Sequence, residues 1–425
     1  MLLTFLVRRR VALGLTMMAA CGLPFDPAAA EEQTSSWSWL AHGRTRFESA
    51  ADSLYGTGRD GEDALYQRLH VGAEYRSDVF ETRVTLNLHG QSGLDNPGPK
   101  DRGPADLQDA YIGFHLGDGL FNARIGRQAI RFGKKRFVDT SNSSNQRAAF
   151  DGIDLNLRSD NRELRAFVVQ PLLHQADEAF DDKADDRIRL AVVQGSWDNR
   201  SEGGSLWEIY GLRYRRDRGS FDDVRRSLGI RQVGTHWGWE IDAELQIQRG
   251  DVGGTDVSAY ALGAFASQPY EWSIWDKSKW LVQLDLASGE DPNSDDIELF
   301  NPILPSRSTF SQAGFTGYAN LRHLKLGTEV NKGAWKSSAS IGLMQRMRTD
   351  DAVYAHSASA LPGSDSASSA RNSGTYLQFK IERALGENAK IYSEWVHLDA
   401  QRGITAAGGS DQDYFALSLE WDFQN

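Results

Sequence analysis

Cysteine is all but missing. Cys21 is the only one in 425 residues, which excludes a disulfide framework and a thiolate metal site. No run of about eighteen apolar residues follows the amino-terminal leader, and mean hydropathy is −0.50, so a helical membrane bundle is excluded as well. Positive charge is short: Lys and Arg number 47 against 58 Asp and Glu, a balance that argues against a nucleic-acid partner. Enzyme signatures are absent too, with no Gly-x-Ser-x-Gly, no His-Glu-x-x-His and no phosphate-binding glycine loop. The nine histidines are scattered with no pair at metal-ligand spacing. No cofactor and no metal is expected, and the chain reads as something other than an enzyme.

The amino terminus carries an address. Arg8, Arg9 and Arg10 precede an apolar run from Val11 to Ala20, and Ala28-Ala29-Ala30 closes a small-residue tail. This is the order of a secretory signal peptide, so residues 1–30 are expected to be removed after Ala30, with 31–425 forming one domain. Cys21 behind Met18-Ala19-Ala20 offers lipoprotein acylation as the alternative. Loss of three arginines and Asp26 leaves 44 basic and 57 acidic side chains, a net of −13.

Helical periodicity is hard to find, while segments of about ten residues alternate apolar and polar throughout. Trp37, Trp39, Ala41, Gly43, Thr45 and Phe47 oppose Ser38, His42, Arg44, Arg46 and Glu48. Trp239, Ile241, Ala243, Leu245 and Ile247 oppose Glu240, Asp242, Glu244 and Gln246. The series ends in Phe415, Leu417, Leu419, Trp421 and Phe423. About eighteen such segments run from Trp37 to Phe423, with those near Leu164, Leu228 and Leu321 the least regular.

Long polar connections near 49–63, 90–106, 128–149, 171–186, 288–318, 349–374 and 399–411 alternate with short ones such as Ser77-Asp78 and Asn331-Lys332-Gly333. Residues 267–279 break the rhythm. With 41 glycines, 12 tryptophans and 13 tyrosines, the composition fits an all-β transmembrane antiparallel barrel of sixteen to eighteen strands in the outer membrane, both termini periplasmic, with aromatics at both interfaces. A soluble β-sandwich or β-helix would have to account for the apolar faces some other way. A closed barrel pairs every backbone group and sends side chains alternately to lipid and lumen, and roughly eighteen strands enclose an aqueous pore.

Phe121–Leu157 is the densest stretch. Gly126-Arg127-Gln128 ends one alternating strand, Phe150-Asp151-Gly152 opens the next, and between them lie a basic loop, Asp139-Thr140 and Asn145-x-Arg147. This order resembles the alginate-export family of outer-membrane barrels, and Phe300-Asn301-Pro302-Ile303-Leu304-Pro305 resembles another recurring family segment. The resemblance implies a channel passing a polyuronate along arginine- and lysine-lined surfaces.

Polar strand faces place Arg44, Arg46, Arg68, Arg76, Arg83, Arg124, Arg158, Arg165, Arg187, Arg189, Arg213 and Arg215 in the lumen. Later strands turn acidic through Glu240, Asp242, Glu244, Asp285, Glu329, Glu394 and Glu420. Such residues either pair across strands or leave guanidinium forks for an anionic substrate. The sharper pore candidates are Arg131, Lys134, Lys135, Arg136 and Arg147, five cations opposed only by Asp139, with Arg127 and the strand arginines Arg44, Arg46, Arg68 and Arg124 beside them. Alternation continued from Ile125 puts Arg127 on the lipid face, so it must sit past the strand end or after a bulge.

Asp181-Asp182 and Asp185-Asp186 read as solvated acids, with calcium binding as the other reading. An anionic oligo- or polysaccharide, or a small anionic solute, is the expected partner inside the pore. Outer-membrane lipid, lipopolysaccharide and the barrel-assembly machinery are expected outside it. A solute-uptake porin, an outer-membrane enzyme and a structural barrel are the competing readings.

Overall fold

The computed structural model describes residues 35–424, apart from 102, 104, 135, 140–142 and 357. The expected leader 1–30, Cys21, Lys135 and Thr140 lie outside the described residues. Eighteen strands span the molecule. The first nine are β1 (Ser36–Ser49), β2 (Asp63–Arg76), β3 (Phe80–Ser92), β4 (Asp106–Leu116), β5 (Phe121–Gln128), β6 (Phe150–Ser159), β7 (Arg162–Leu173), β8 (Ile188–Asp198) and β9 (Ser205–Asp217). The rest are β10 (Asp222–His236), β11 (Trp239–Val252), β12 (Thr255–Pro269), β13 (Lys277–Ala287), β14 (Leu321–Lys332), β15 (Trp335–Arg346), β16 (Asn372–Ala384), β17 (Ala389–Ala400) and β18 (Gln412–Gln424). A two-residue strand, Lys183–Ala184, adds to β7.

Each strand pairs antiparallel with its sequence neighbours, and β1 pairs with β18 from Leu40↔Gln424 to Ser49↔Phe415. The barrel therefore has no free edge. Its inside-out burial gives its environment away: Ile125, Val168 and Leu228 are 52%, 51% and 56% exposed, while Glu81, Asn87 and Gln246 are 0% exposed. Apolar side chains face outward and polar ones inward, as a lipid surroundings demands.

Connections alternate in length. Those at the end carrying both termini span two to seven residues, including 270–276, so the apparent break at 267–279 arises because β12 continues to Pro269. At the opposite end most are long, but 218–221 and 253–254 are short. Tryptophan crowds towards one end as well: Trp37, Trp39, Trp207, Trp237, Trp280, Trp335 and Trp421 are exposed at the short-turn end. At the long-loop end the exposed aromatics include Phe47, Phe415, Phe180, Phe221 and Tyr260, with a single tryptophan among the described residues there, Trp395, across from Phe415.

Candidate functional site: the lumen and its in-folded loops

Two long loops enter the barrel because their apolar residues find a complementary wall. The lumenal faces of β7–β9 carry Phe167, Val169, Leu190, Val192, Tyr210 and Leu212, and the 129–149 loop covers them with Ile130, Phe132 and Val138. Phe132 meets Tyr210 edge-on at 4.7 Å. Phe137 turns instead to the 288–320 loop, packing on Phe300 at 5.4 Å and Tyr318 at 5.1 Å. The loops join directly, since Val138 bridges Leu304, the Asp139 N–H donates to the Leu304 carbonyl at 3.0 Å and the Leu304 N–H to the Phe137 carbonyl at 3.1 Å. Ile130, Phe132, Phe137 and Val138 are all at most 3% exposed. At about 1.5–3 kcal/mol each, their burial outweighs ion pairs, which roughly break even when taken out of water.

Most of the arginines marked out in the sequence serve to hold this arrangement. Arg44 donates to the Ser144 carbonyl at 3.0 Å, Arg68 to the same carbonyl at 3.2 Å, and Arg46 to the Ser143 carbonyl at 2.6 Å and to Glu48 at 3.0 Å. Arg124 is taken by Glu81 at 2.5 Å and Arg165 by Asp154 at 2.7 Å. Arg136 crosses the lumen to β11, donating to Asp242 at 2.9 Å and Glu244 at 3.1 Å. Burial pulls its pKa down, but Tyr318, Glu244 and Asp242 outweigh that and hold it above the ordinary guanidinium value. The basic loop is thus opposed by far more than Asp139.

Arg131 and Arg147 are differently placed. Arg131 is exposed, its carbonyl accepting from Arg165 at 2.6 Å. Burial and then neighbouring Arg131 push the Arg147 pKa down against the pull of Asp109, and its Nε has no hydrogen-bond partner among the described residues. Arg147 also lies within coulombic reach of Arg68, which Arg44 and Arg46 share. A cationic cluster therefore sits where the loop meets β1 and β2.

Arg127 stands apart. It takes Asp151 of β6 at 2.9 Å and the Asp182 carbonyl at 3.0 Å at the long-loop rim, on the parity of the outward Ile125 and Ile153. Its neighbour Gly126 has φ +126, and a Cβ there would lie 2.4 Å from the Ala110 carbonyl oxygen. Arg189, Arg213 and Arg215 also correct the lumenal assignment, for they share parity with outward Val193 and Ile209. Polarity marks the lumen only within the apolar band, and these three lie beyond it.

The open volume is elsewhere. A cavity of about 470 Å³ lies between the in-folded loops and β12–β17. Lys134 reaches it from the loop, and Lys279, Lys325, Lys336 and Lys380 from four successive strands. Glu329, Glu382 and Glu394 are the acids of the lining, three against five lysines; Lys380 lies 3.6 Å from Glu394, and Lys134 lies 3.6 Å from Asp242 just outside the lining. Lys279 and Lys336 share Glu329 at 3.3 and 3.1 Å, whereas Lys325 donates to the Phe310 carbonyl at 2.9 Å. Phe265, Phe310 and Tyr392 add aromatic faces. Lys134 was marked out in the sequence as a loop cation, but the four strand lysines were not: Lys279 fell in the 267–279 connection, and acids such as Glu329 and Glu394 on the same strand faces pointed to an acidic wall.

The 347–371 loop is pinned by Arg346, 1% exposed, whose guanidinium donates to the carbonyls of Asp351 (3.0 Å), Ser364 (2.8 Å), Ser368 (2.5 Å) and Ala370 (2.5 Å). Val353 and Leu361 pack with Tyr55 and Ile404 from neighbouring loops. Of the acids at 181–186, Asp182 and Asp185 are drawn into loop contacts, Asp182 accepting from His174 at 2.8 Å and Gln146 at 2.5 Å and Asp185 from Arg187 at 2.8 Å, while Asp186 is exposed as expected of a solvated acid.

A family model described as "Alginate export" matches residues 39–417. No curated protein sequence matches. Among solved structures, Pseudomonas aeruginosa OccK1 (OpdK) is 9% identical with TM-score 0.62, covering 92% of this chain and 99% of its own. Pseudomonas aeruginosa OccK2 (OpdF), solved in complex with glucuronate, is 11% identical with TM-score 0.59, covering 92% and 98%. Acinetobacter baumannii OccAB1 is 10% identical with TM-score 0.60, covering 93% and 99%. Fold and family together make the molecule an outer-membrane channel and not an enzyme.

Proposed function

The chain belongs to the alginate-export family, and from that membership and the charge of its lumen we propose that it conducts an anionic, uronate-bearing saccharide. The long loops face outward and both termini the periplasm, after removal of residues 1–30. The observation that carries the reading is the lysine-lined cavity beside the loop junction. A carboxylate about 4 Å from a cation gains about 1 kcal/mol in bulk water and several times that at lower effective dielectric. Five lysines in a narrow, protein-walled space act nearer the second limit than exposed charges, which physiological salt screens.

Lysine suits passage better than arginine. Its ammonium is a mobile point charge rather than a fork that fixes a carboxylate bidentately, and conduction needs sites that bind weakly and in series. Phe265, Phe310 and Tyr392 supply apolar faces of the kind that orient small ligands. Arg131 and Arg147 form a second cationic station at the loop.

The joined loops and the modest cavity favour a second reading, uptake of a small anionic solute, in keeping with the glucuronate bound by OccK2. Reversal potentials in a salt gradient test the shared premise. Lys325→Gln with Lys380→Gln is expected to lower anion-over-cation selectivity several-fold, and Arg131→Ala with Arg147→Ala to lower it further. An unchanged reversal potential in both double variants would remove these residues from the conduction path. Block that strengthens from mono- to oligouronate favours the polymer; equal block at all lengths favours the small solute.

A further inference from the structure

The outer face of β8–β11 carries charge where a lipid-facing surface ordinarily has none. Arg213 lies directly across from Arg226, and Arg226 from Arg249, three guanidinium groups in one row over three strands. Like charges set directly opposite one another on a sheet are destabilising, so the row calls for an anion. All three are exposed, and among the described residues none has a carboxylate partner, in contrast to Arg215 on Asp222 at 3.0 Å. The connections above them, 218–221 and 253–254, are the two short ones at the long-loop end, so no long loop springs from this stretch of rim.

Beneath the row the wall is hollowed. Small outward residues, Ala166, Ala191 and Gly211, sit among Ile153, Val168 and Val193 and open an apolar groove of about 550 Å³ whose lining ends in Arg213 and Arg226. The arginines thus mark the upper edge of the outward apolar band, which on β9 runs from Trp207 through Ile209 to Gly211. That edge is the level at which acyl chains meet phosphate headgroups.

We propose that this face binds a phosphorylated, multiply acylated glycolipid of the outer leaflet, the lipid A portion of lipopolysaccharide. Arg213, Arg226 and Arg249 take its phosphates, and one acyl chain lies along the groove over Ala191 and Gly211. Arginine is suited to the headgroup because its planar fork meets phosphate bidentately and is weakly hydrated. Charge at the interface costs a barrel far less than charge at the bilayer midplane. The assignment rests on the orientation proposed above, long loops outward, and is independent of what the lumen carries.

Native mass spectrometry of the intact detergent-solubilised barrel with added bisphosphorylated, hexa-acylated lipid A tests it. Phosphatidylglycerol serves as the anionic comparator. The wild-type barrel is expected to retain lipid A over phosphatidylglycerol. R213Q/R226Q should retain it at least tenfold less, and Gly211→Leu, which fills the groove, several-fold less. Arg213→Lys, which keeps the charge but loses the fork, should fall between. The electrophoretic shift on heating checks that each barrel is folded, and an unchanged reversal potential separates this face from the lumen. Equal retention of lipid A by wild type and R213Q/R226Q, or equal displacement by phosphatidylglycerol, would overturn the proposal.

Discussion

At Gly263 on β12 a missing side chain decides where the pore narrows. A Cβ built there would lie 2.5 Å from the Tyr318 hydroxyl and 2.7 Å from Arg136 Cδ and Nε, so both in-folded loops lean on this one glycine. Gly263→Val is expected to push Arg136 off Asp242 and Glu244. Glu244 would keep only the Tyr210 hydroxyl, at 2.9 Å, and breaking a buried pair costs about 3–5 kcal/mol. The variant barrel should remain folded, because outward apolar burial is untouched, while single-channel conductance becomes larger and noisier. A conductance trace indistinguishable from wild type would mean that the loops are held without this contact. The sequence showed Arg136 as a loop cation but gave no sign of its partner, 106 residues away, since long-range pairing leaves no local pattern. Arg127 was only partly readable: strict parity from Ile125 put it on the outward face, where it lies, but it stays within β5 in regular register and not past the strand end or after a bulge, so its place among the pore candidates is corrected.

Among the elements, strands declared themselves and loops did not. Alternation is a local property, so eighteen segments were countable from residue order, including the poorly patterned ones that became β7, β10 and β14. Loop placement depends instead on apolar residues such as Phe132 and Phe137 meeting a wall assembled from distant strands, and no spacing records that. The docked 347–371 loop carries a consequence for pH. His356 is pushed down to about 4 by burial and then by Arg307, which itself sits on Glu48 at 3.3 Å. Its value in a released loop is near 6.5, so the released state binds the extra proton between these limits. Docking is fully favoured above about 6.5 and is progressively lost as pH falls towards 4, by at most about 3 kcal/mol. The hydrogen-exchange protection factors of residues 350–370, with the intrinsic pH dependence of amide exchange divided out, should therefore fall between pH 7 and pH 4, and His356→Gln should abolish the change. Protection factors that are flat with pH in the wild-type protein would show that His356 does not control the loop.

For the whole molecule, two asymmetries support the orientation proposed above: long loops at one end, and tryptophan crowded at the other with both termini. Lipid surroundings explain the inverted core, and the overall charge of −11 is compatible with a locally cationic lumen because field depends on where charges sit rather than on their sum. Near-absence of cysteine, the feature that excluded a disulfide fold, also makes the orientation directly measurable. Cys21 lies within the expected leader, so a single introduced thiol reports its own position without background once the leader is gone. Ser366→Cys lies in the 347–371 loop and Asn388→Cys in the short turn after β16, both exposed. A membrane-impermeant maleimide added to intact cells should label the first and leave the second until the outer membrane is opened. Labelling of Asn388→Cys alone would invert the barrel, placing the loop junction and the arginine row of β9–β11 on the periplasmic side and removing the outer leaflet as the source of the lipid bound there.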